Sequence, residues 1–476
     1  MGLDDQSYVW TESVRGQDLA KRNDILKSKI GMTVHRYNVF WNSFESSGVP
    51  SSDKPLHCRT GYYQMPTDAS GLRKNGGDYF KYRCVSKGFE KIVKQYLKDD
   101  QDHGWESAAI VWCAPPYARD PGCLGQPDSS IESAPEDYSD AYANFSAIQG
   151  AVQARVESVN PVLVQPPETE TNSSGAAAES ALDSSGCSCA PADDYVDDYQ
   201  DYIQYLGDRV NSEEGRFSHY IAWNECANSF WTDFSPRLDV TKVVTPEGQS
   251  TWVKLYADLI RRTVAAAEQP ALVYASTDRW WGIPPVLTSW GIGRNHIGSQ
   301  NLLLGLWQEL GVSVPWALAL HVYGDVDAKE LNGENGIVNA YGWATVGDVA
   351  DWQSTQLAAA LQADPSAPYT LQNAPHRILV ASEQGWQGSQ NSPEERAKLL
   401  CKAWVHGSTV PNLAWVTFMS FQEIGSDDFG LVPSDATLSN AEASVIYMAF
   451  LSTAPGTWGK NSDHYCCLAV RAGCAS

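Results

Sequence analysis

Two hydrophobic patterns alternate along most of this chain. Stretches with apolar residues three and four apart, the period of an amphipathic helix, give way to short runs that are almost continuously apolar. The spacing predicts helices over 16–30, 87–98, 195–210, 251–267, 299–310, 347–362, 393–406 and about 440–451. The apolar runs predict strands over Met32–Phe40, Ala108–Cys113, His219–Trp223, Ala271–Ala275, Trp316–Val322, Arg377–Ala381 and Leu413–Met419. Gly31 ends the first helix as a C-terminal cap, and each later helix leads into the next strand.

A strand without polar alternation is buried on both faces, as in a parallel sheet covered by helices. The stretch Ser7–Thr11 supplies a short first strand ahead of these seven, which makes eight. The glycine-rich stretch Gly291–Gly298 follows no strand and lacks the Lys-Ser/Thr of a phosphate-binding loop, so it reads as a loop. Eight strands alternating with helices predict an α/β fold, a (β/α)8 TIM barrel forming a single domain over 1–476. One long insertion interrupts it at 114–194, in the loop after the third strand. Its part over 165–194 is low-complexity, rich in small and acidic residues, and is expected to be partly disordered. A loop there lies on the barrel's C-terminal face, where it either walls the site or runs over the surface in solvent.

The 57 acidic and 34 basic residues leave a formal charge of −23, which repels nucleic acid, anionic membranes and strongly acidic polymers. No apolar run approaches the ~18 residues that cross a bilayer, so membrane insertion is not expected. The 18 Trp supply indole faces suited to stacking on pyranose rings, although Trp also fills cores. Eleven Cys show no CxxC pair and no zinc-finger spacing, so no metal and no cofactor is expected. With the sequons Asn144-Phe145-Ser146 and Asn172-Ser173-Ser174 in the insertion, they lean towards a secretory compartment, disulfides and glycans. No positively charged, apolar leader follows Met1, which leaves the compartment open.

Catalytic groups of such a barrel project from the C-terminal ends of its strands. Two strands end on a glutamate: the fourth reads His219-Tyr220-Ile221-Ala222-Trp223-Asn224-Glu225, and the seventh ends Ala381-Ser382-Glu383-Gln384-Gly385-Trp386. An acid directly after a buried apolar run is costly unless it is used or neutralised. Two of them on roughly opposite strands suit paired-carboxylate chemistry at a glycosidic bond.

In this arrangement Asn224-Glu225 and Glu383 resemble clan A retaining glycoside hydrolases, whose two glutamates end strands four and seven. Arg36 and Asn38 ending the second strand, and His321-Val322-Tyr323 ending the sixth, are similar to that clan as well. The likeness runs from about 16 to 451, leaving out the insertion; its motifs are short, and their order along the chain carries it. The resemblance implies that Glu225 is the acid/base and Glu383 the nucleophile. It implies that Asn224 bonds the substrate 2-hydroxyl, and that Arg36 and Tyr323 keep Glu383 ionised. The chain departs from the clan at the eighth strand, where Trp415-Val416-Thr417-Phe418-Met419-Ser420-Phe421 has Phe418 or Phe421 in place of the usual subsite Trp.

Arg36, Asn38, Asn224, His321, Tyr323, Trp41, Trp281 and Trp386 are thus the candidate substrate-binding set around the catalytic Glu225 and Glu383. Asp278, ending the fifth strand, and Glu423 are competing acids. The expected substrate is a neutral β-linked polysaccharide or oligosaccharide, and the expected state a monomer. A carbohydrate-binding barrel without catalysis is the alternative, although two buried acids gain a binding protein nothing. A metal-dependent barrel hydrolase needs His-rich strand ends and a Schiff-base aldolase a strand-end Lys; the predicted strands supply neither.

Overall fold

The computed structural model describes residues 2–4, 26–27, 32–45, 62–66, 82–119, 189–227, 246–278, 297–323, 343–386 and 391–419. Eight parallel strands close on themselves: β1 (Gly2–Asp4), β2 (Val34–Phe40), β5 (Glu106–Trp112), β6 (Phe217–Ala222), β7 (Leu272–Thr277), β8 (Ala317–Tyr323), β9 (Leu379–Gly385) and β10 (Leu413–Met419). β1 pairs with both β2 and β10, which completes the circle. A separate antiparallel pair, β3 (Tyr62–Pro66) and β4 (Tyr82–Ser86), lies outside it. Between the barrel strands run α1 (Lys87–His103), α2 (Val196–Tyr205), α3 (Pro246–Ala266), α4 (Ser299–Leu310), α5 (Trp343–Ala363) and α6 (Pro393–Thr409).

Seven of the predicted strands are found within a few residues of their expected bounds. The eighth differs: the strand between β2 and β10 is Gly2–Asp4, ahead of the Ser7–Thr11 stretch, which lies outside the described residues. Most of the helix expected over 16–30, the one over about 440–451 and the Gly291–Gly298 stretch also lie mostly outside them.

Local chemistry sets the helix ends. Ser86 caps α1 by accepting from the Phe89 N–H at 3.2 Å, and Gly104, at φ 72°, ends it in the left-handed conformation glycine tolerates. Ser392 and Glu395 form a reciprocal capping box at the start of α6, with Pro393 at the first helical position. α1 buries Phe89, Ile92, Val93, Tyr96 and Leu97, the stripe its spacing predicts. Gly305 lets α4 lie close against α3: a Cβ there would stand 2.5 Å from Val253 Cγ2.

The chain on either side of residues 120–188 meets at one root. Arg119 bridges Pro191, and the Ala192 N–H donates to the Ala118 carbonyl at 2.8 Å; residues 120–188 lie outside the described ones. Beside this root lies a buried ion network. Arg83 of β4 donates to Glu45 at 2.6 Å and to Asp198 and Asp201 of α2 at 2.8 Å each, while the Tyr117 hydroxyl donates to Glu45. One guanidinium thereby joins the turn that follows β2, the outer hairpin and α2. Removing one partner of such a buried cluster strands the other charges. Arg83→Met is therefore expected to lower the unfolding free energy by about 3–5 kcal/mol in urea titrations, against little change for an exposed control such as Lys98→Met.

Candidate active site

The C-terminal mouth of the barrel gathers five polar groups from four strands. Period-two alternation places Arg36 on the inner face of β2, His321 and Tyr323 on that of β8, and Glu383 on that of β9. Glu225 follows β6 in a bent segment, with Trp223 at φ 62° and Glu225 at φ 42°, a left-handed region that costs a non-glycine residue about 1 kcal/mol or more. Neighbouring elements hold the bend. The Glu225 N–H donates to Ser276 Oγ of β7 at 3.1 Å, and the Trp223 N–H to the Val111 carbonyl at 3.1 Å. The Trp252 indole donates to the Cys226 carbonyl at 2.7 Å, and the Tyr256 hydroxyl to the Ala222 carbonyl at 2.9 Å.

The two carboxyls meet around His321. Its Nδ1 lies 2.6 Å from Glu225 Oε1 and 3.1 Å from Glu383 Oε2, and one oxygen of each glutamate lies within 4.8 Å of the other. Arg36 Nη2 donates to Glu383 Oε1 at 2.6 Å, and the Tyr323 hydroxyl to Glu383 Oε2 at 2.8 Å. Both glutamates are largely buried but retain some access, at 9% for Glu225 and 6% for Glu383.

These surroundings drive the two acids apart. Burial pushes the Glu225 carboxyl up, and the charges of Asp278 and Glu383 push the same way against the bond and charge of His321. Burial also opposes ionisation of Glu383, yet the His321 and Arg36 charges and the bonds from Tyr323 and Arg36 outweigh it and hold Glu383 below the usual range. Burial lowers His321, but both glutamates raise it further, so its net shift is upward. The site holds one carboxyl poised to keep a proton beside one poised to lack it, the division that acid and nucleophile roles require.

Glu225, His321 and Glu383 each offer a ligand atom in a donor set of the kind that binds divalent cations. Arg36 does not fit that use. Its guanidinium occupies Glu383 Oε1 and stands 3.5 Å from His321 Nε2, a fixed positive charge against two of the three residues that would have to bind a cation.

The aromatic expectations fare unevenly. Trp41 is fully buried, stacked on Tyr202 at 5.8 Å and packed edge-on to Tyr117. It is a core residue with no face left for a sugar, and the expectation that it binds substrate is corrected: the apolar turn after β2 folds under α2 instead of into the mouth. Asn38 is 3% exposed, and its carbonyl accepts from the Trp112 indole at 2.9 Å. Trp386, 5% exposed at the end of β9, packs on Phe418 of β10 at 6.4 Å. Asn224 is buried beside Glu225. Trp281, Phe421 and Glu423 lie outside the described residues. Sequence reasoning passed over Ser276, whose signal was its place two residues before Asp278 on one face of β7.

No family model matches the chain, and no curated protein matches it. Solved structures do, at low identity. Family 39 glycoside hydrolase from the gut symbiont Bacteroides cellulosilyticus WH2 is 13% identical with a TM-score of 0.42, covering 91% of this chain; the chain spans 60% of that protein's length. GH5_18 from Streptomyces cattleya in complex with GlcNAc is 11% identical over 97% of this chain and 80% of its own, with a TM-score of 0.45. The hyperthermostable endo-1,4-beta-D-mannanase from Thermotoga petrophila RKU-1 is 12% identical over 94% and 98%, with a TM-score of 0.39. A GH30 endoxylanase from Clostridium papyrosolvens C71 is also among the structures matched, 8% identical with a TM-score of 0.41, and no single family is resolved.

The hydrogen bond from Tyr323 helps keep Glu383 ionised, so Tyr323→Phe is expected to raise the pH at which Glu383 titrates. Carboxyl 13C NMR on glutamate-labelled protein, with the resonance assigned by its loss in Glu383→Gln, reads the change; an unmoved or lowered midpoint contradicts this account of the site.

Proposed function

We propose that this chain is a retaining glycoside hydrolase that cleaves O-glycosidic bonds by double displacement, with Glu225 as acid/base and Glu383 as nucleophile. One observation carries the reading: two carboxyls with oppositely shifted proton affinities, their nearest oxygens within 4.8 Å. Retaining pairs stand about 5–5.5 Å apart, whereas inverting pairs need about 6.5–9.5 Å to admit a water between acid and sugar. The spacing here favours direct attack by a carboxylate.

In the first step an ionised Glu383 oxygen bonds to the anomeric carbon while that carbon's bond to the leaving oxygen breaks. Glu225 gives its proton to the departing oxygen. In the second step Glu225, now a carboxylate, takes a proton from water as the water oxygen bonds to the anomeric carbon and Glu383 is released. Arg36, Tyr323 and His321 hold Glu383 in one orientation throughout. Asn224, adjacent to the acid, bonds the sugar 2-hydroxyl, and Trp386 and Trp281 line the subsites.

The proposed substrate is a neutral β-linked polysaccharide or oligosaccharide, in keeping with the charge of −23, which repels polyanions. The proposal extends to the architecture: one monomeric TIM-barrel domain over 1–476, with 114–194 as an insertion in the loop after the third strand. A secretory location with glycans on Asn144 and Asn172 completes it, in keeping with the eleven Cys and the two sequons of the sequence.

On a panel of neutral β-glycans and aryl glycosides, Glu225→Gln and Glu383→Gln are each expected to lose at least ~4 kcal/mol of transition-state stabilisation, on the order of a thousandfold in rate. Undiminished activity in either variant removes that residue from the mechanism. Azide should restore turnover of aryl glycosides to Glu383→Gly and yield a glycosyl azide of inverted configuration. A product of retained configuration exchanges the two roles, and binding without turnover by the parent protein favours a carbohydrate-binding barrel.

A further inference from the structure

One helix grips the chain on both sides of Glu225. Trp252 and Tyr256 stand one helical turn apart on α3, and both are fully buried. The Tyr256 hydroxyl accepts from the Ser276 N–H of β7 at 2.6 Å and donates to the carbonyl of Ala222, the last residue of β6, at 2.9 Å. Ala222 pairs with Ala275 at the final step of the β6–β7 register, so a single hydroxyl ties both strands to the helix where they part. Beyond that point the chain turns left-handed at Trp223, φ 62°, and at Glu225, φ 42°. Just past Glu225, the Trp252 indole donates to the Cys226 carbonyl at 2.7 Å. The segment between these two anchors is sterically costly and persists only where its surroundings enforce it. The carboxyl it presents lies with Oε1 2.6 Å from His321 Nδ1.

We infer that Tyr256 is a positioning residue for catalysis: together with Trp252 it clamps the bend from α3 and fixes the direction in which Glu225 points. The inference rests on reading Glu225 as the acid that protonates the leaving oxygen. Tyr256 acts at a distance from the reacting atoms, since its hydroxyl is spent on two backbone groups. A phenylalanine in its place keeps the ring and its packing but removes the oxygen that the Ser276 N–H and the Ala222 carbonyl share. The strand ends can then shift against each other, and the left-handed residues that follow can relax towards ordinary extended backbone. A carboxyl displaced in this way still carries its proton but meets the leaving oxygen in a poor geometry. Glu383 is held separately, by Arg36 from β2 and Tyr323 from β8, so its attack on the anomeric carbon is spared. Proton donation and nucleophilic attack thus depend on different parts of the fold, and Tyr256 serves the first.

The test compares Tyr256→Phe with Tyr199→Phe, which removes another buried hydroxyl at α3, one bonded to the Thr263 side chain at 3.1 Å. The first readout needs no substrate. The 15N resonance of His321 Nδ1, in histidine-labelled protein and assigned by its loss in His321→Asn, reports the short bond to Glu225. It should move in Tyr256→Phe as that bond lengthens and stay in place in Tyr199→Phe. The second readout is a series of aryl glycosides that the parent turns over. For Tyr256→Phe, kcat/KM should fall on the order of ten- to a hundredfold where the leaving group needs a proton, and stay within about threefold for 2,4-dinitrophenolate, which needs none. An unmoved resonance in folded Tyr256→Phe overturns the inference. So does a loss of the same size for every leaving group, which makes Tyr256 a structural residue only. Should Tyr256→Phe fail to fold, Trp252→Phe carries the same two readouts with the same expected results. If the resonance moves but the parent hydrolyses no glycoside, the hydrolase reading fails and the clamp on Glu225 stands.

Discussion

Two carboxyls confined to one low-dielectric mouth cannot both ionise without strong mutual repulsion, and the Arg36–Glu383 contact decides which of them does. The guanidinium is fully buried and cannot lose its charge, so whichever acid it touches is committed to the anionic form. With the Tyr323 hydroxyl on its other oxygen, Glu383 is held ionised and oriented. That negative charge then helps hold the proton on Glu225. Each of the two proposed roles rests on a single asymmetry, a cation on one side of the pair and an anionic neighbour on the other.

The barrel makes this asymmetry possible. Arg36 and Glu383 sit on strands separated by β1 and β10 and meet only because the sheet closes and both point inward. His321 lies opposite Glu383 in the β8–β9 register, after a shift between Leu320 and His321 that re-aims the strand end. On the other side, β6 runs out into a bend that no ordinary strand would adopt, held by the Glu225 N–H donating to Ser276 and by the Trp252 and Tyr256 side chains donating to carbonyls on either side of it. Two of the four left-handed non-glycine residues among the described ones, Trp223 and Glu225, fall in this bend, and the surrounding helices and strands maintain it.

Much of this was legible in the chain. Continuous apolar runs placed seven strands because a strand buried on both faces has no polar positions to confuse its limits, and Glu225, Arg36, His321, Tyr323 and Glu383 were visible as polar residues ending such runs. Their convergence was not derivable from spacing alone, since contacts hundreds of residues apart depend on barrel closure. The first strand escaped because Gly2–Asp4 is three residues long, too short for any periodicity. The hairpin of β3 and β4 escaped because it stands outside the strand–helix repeat. Trp41 was misread for a different reason: an aromatic after a strand end faces either the mouth or the helix layer, and only the positions of Tyr117, Tyr199 and Tyr202 decide which.

The central claim is that the ionised acid held by Arg36 is the one that bonds to the sugar. Trapping with activated 2-deoxy-2-fluoro glycosides of the sugars the protein accepts, followed by proteolysis and mass spectrometry of the labelled peptide, tests it most directly. The account predicts a glycosyl ester on Glu383, in the peptide that spans Arg377–Trp386. An ester on Glu225, or undiminished turnover of a substrate the trap should compete with, contradicts it.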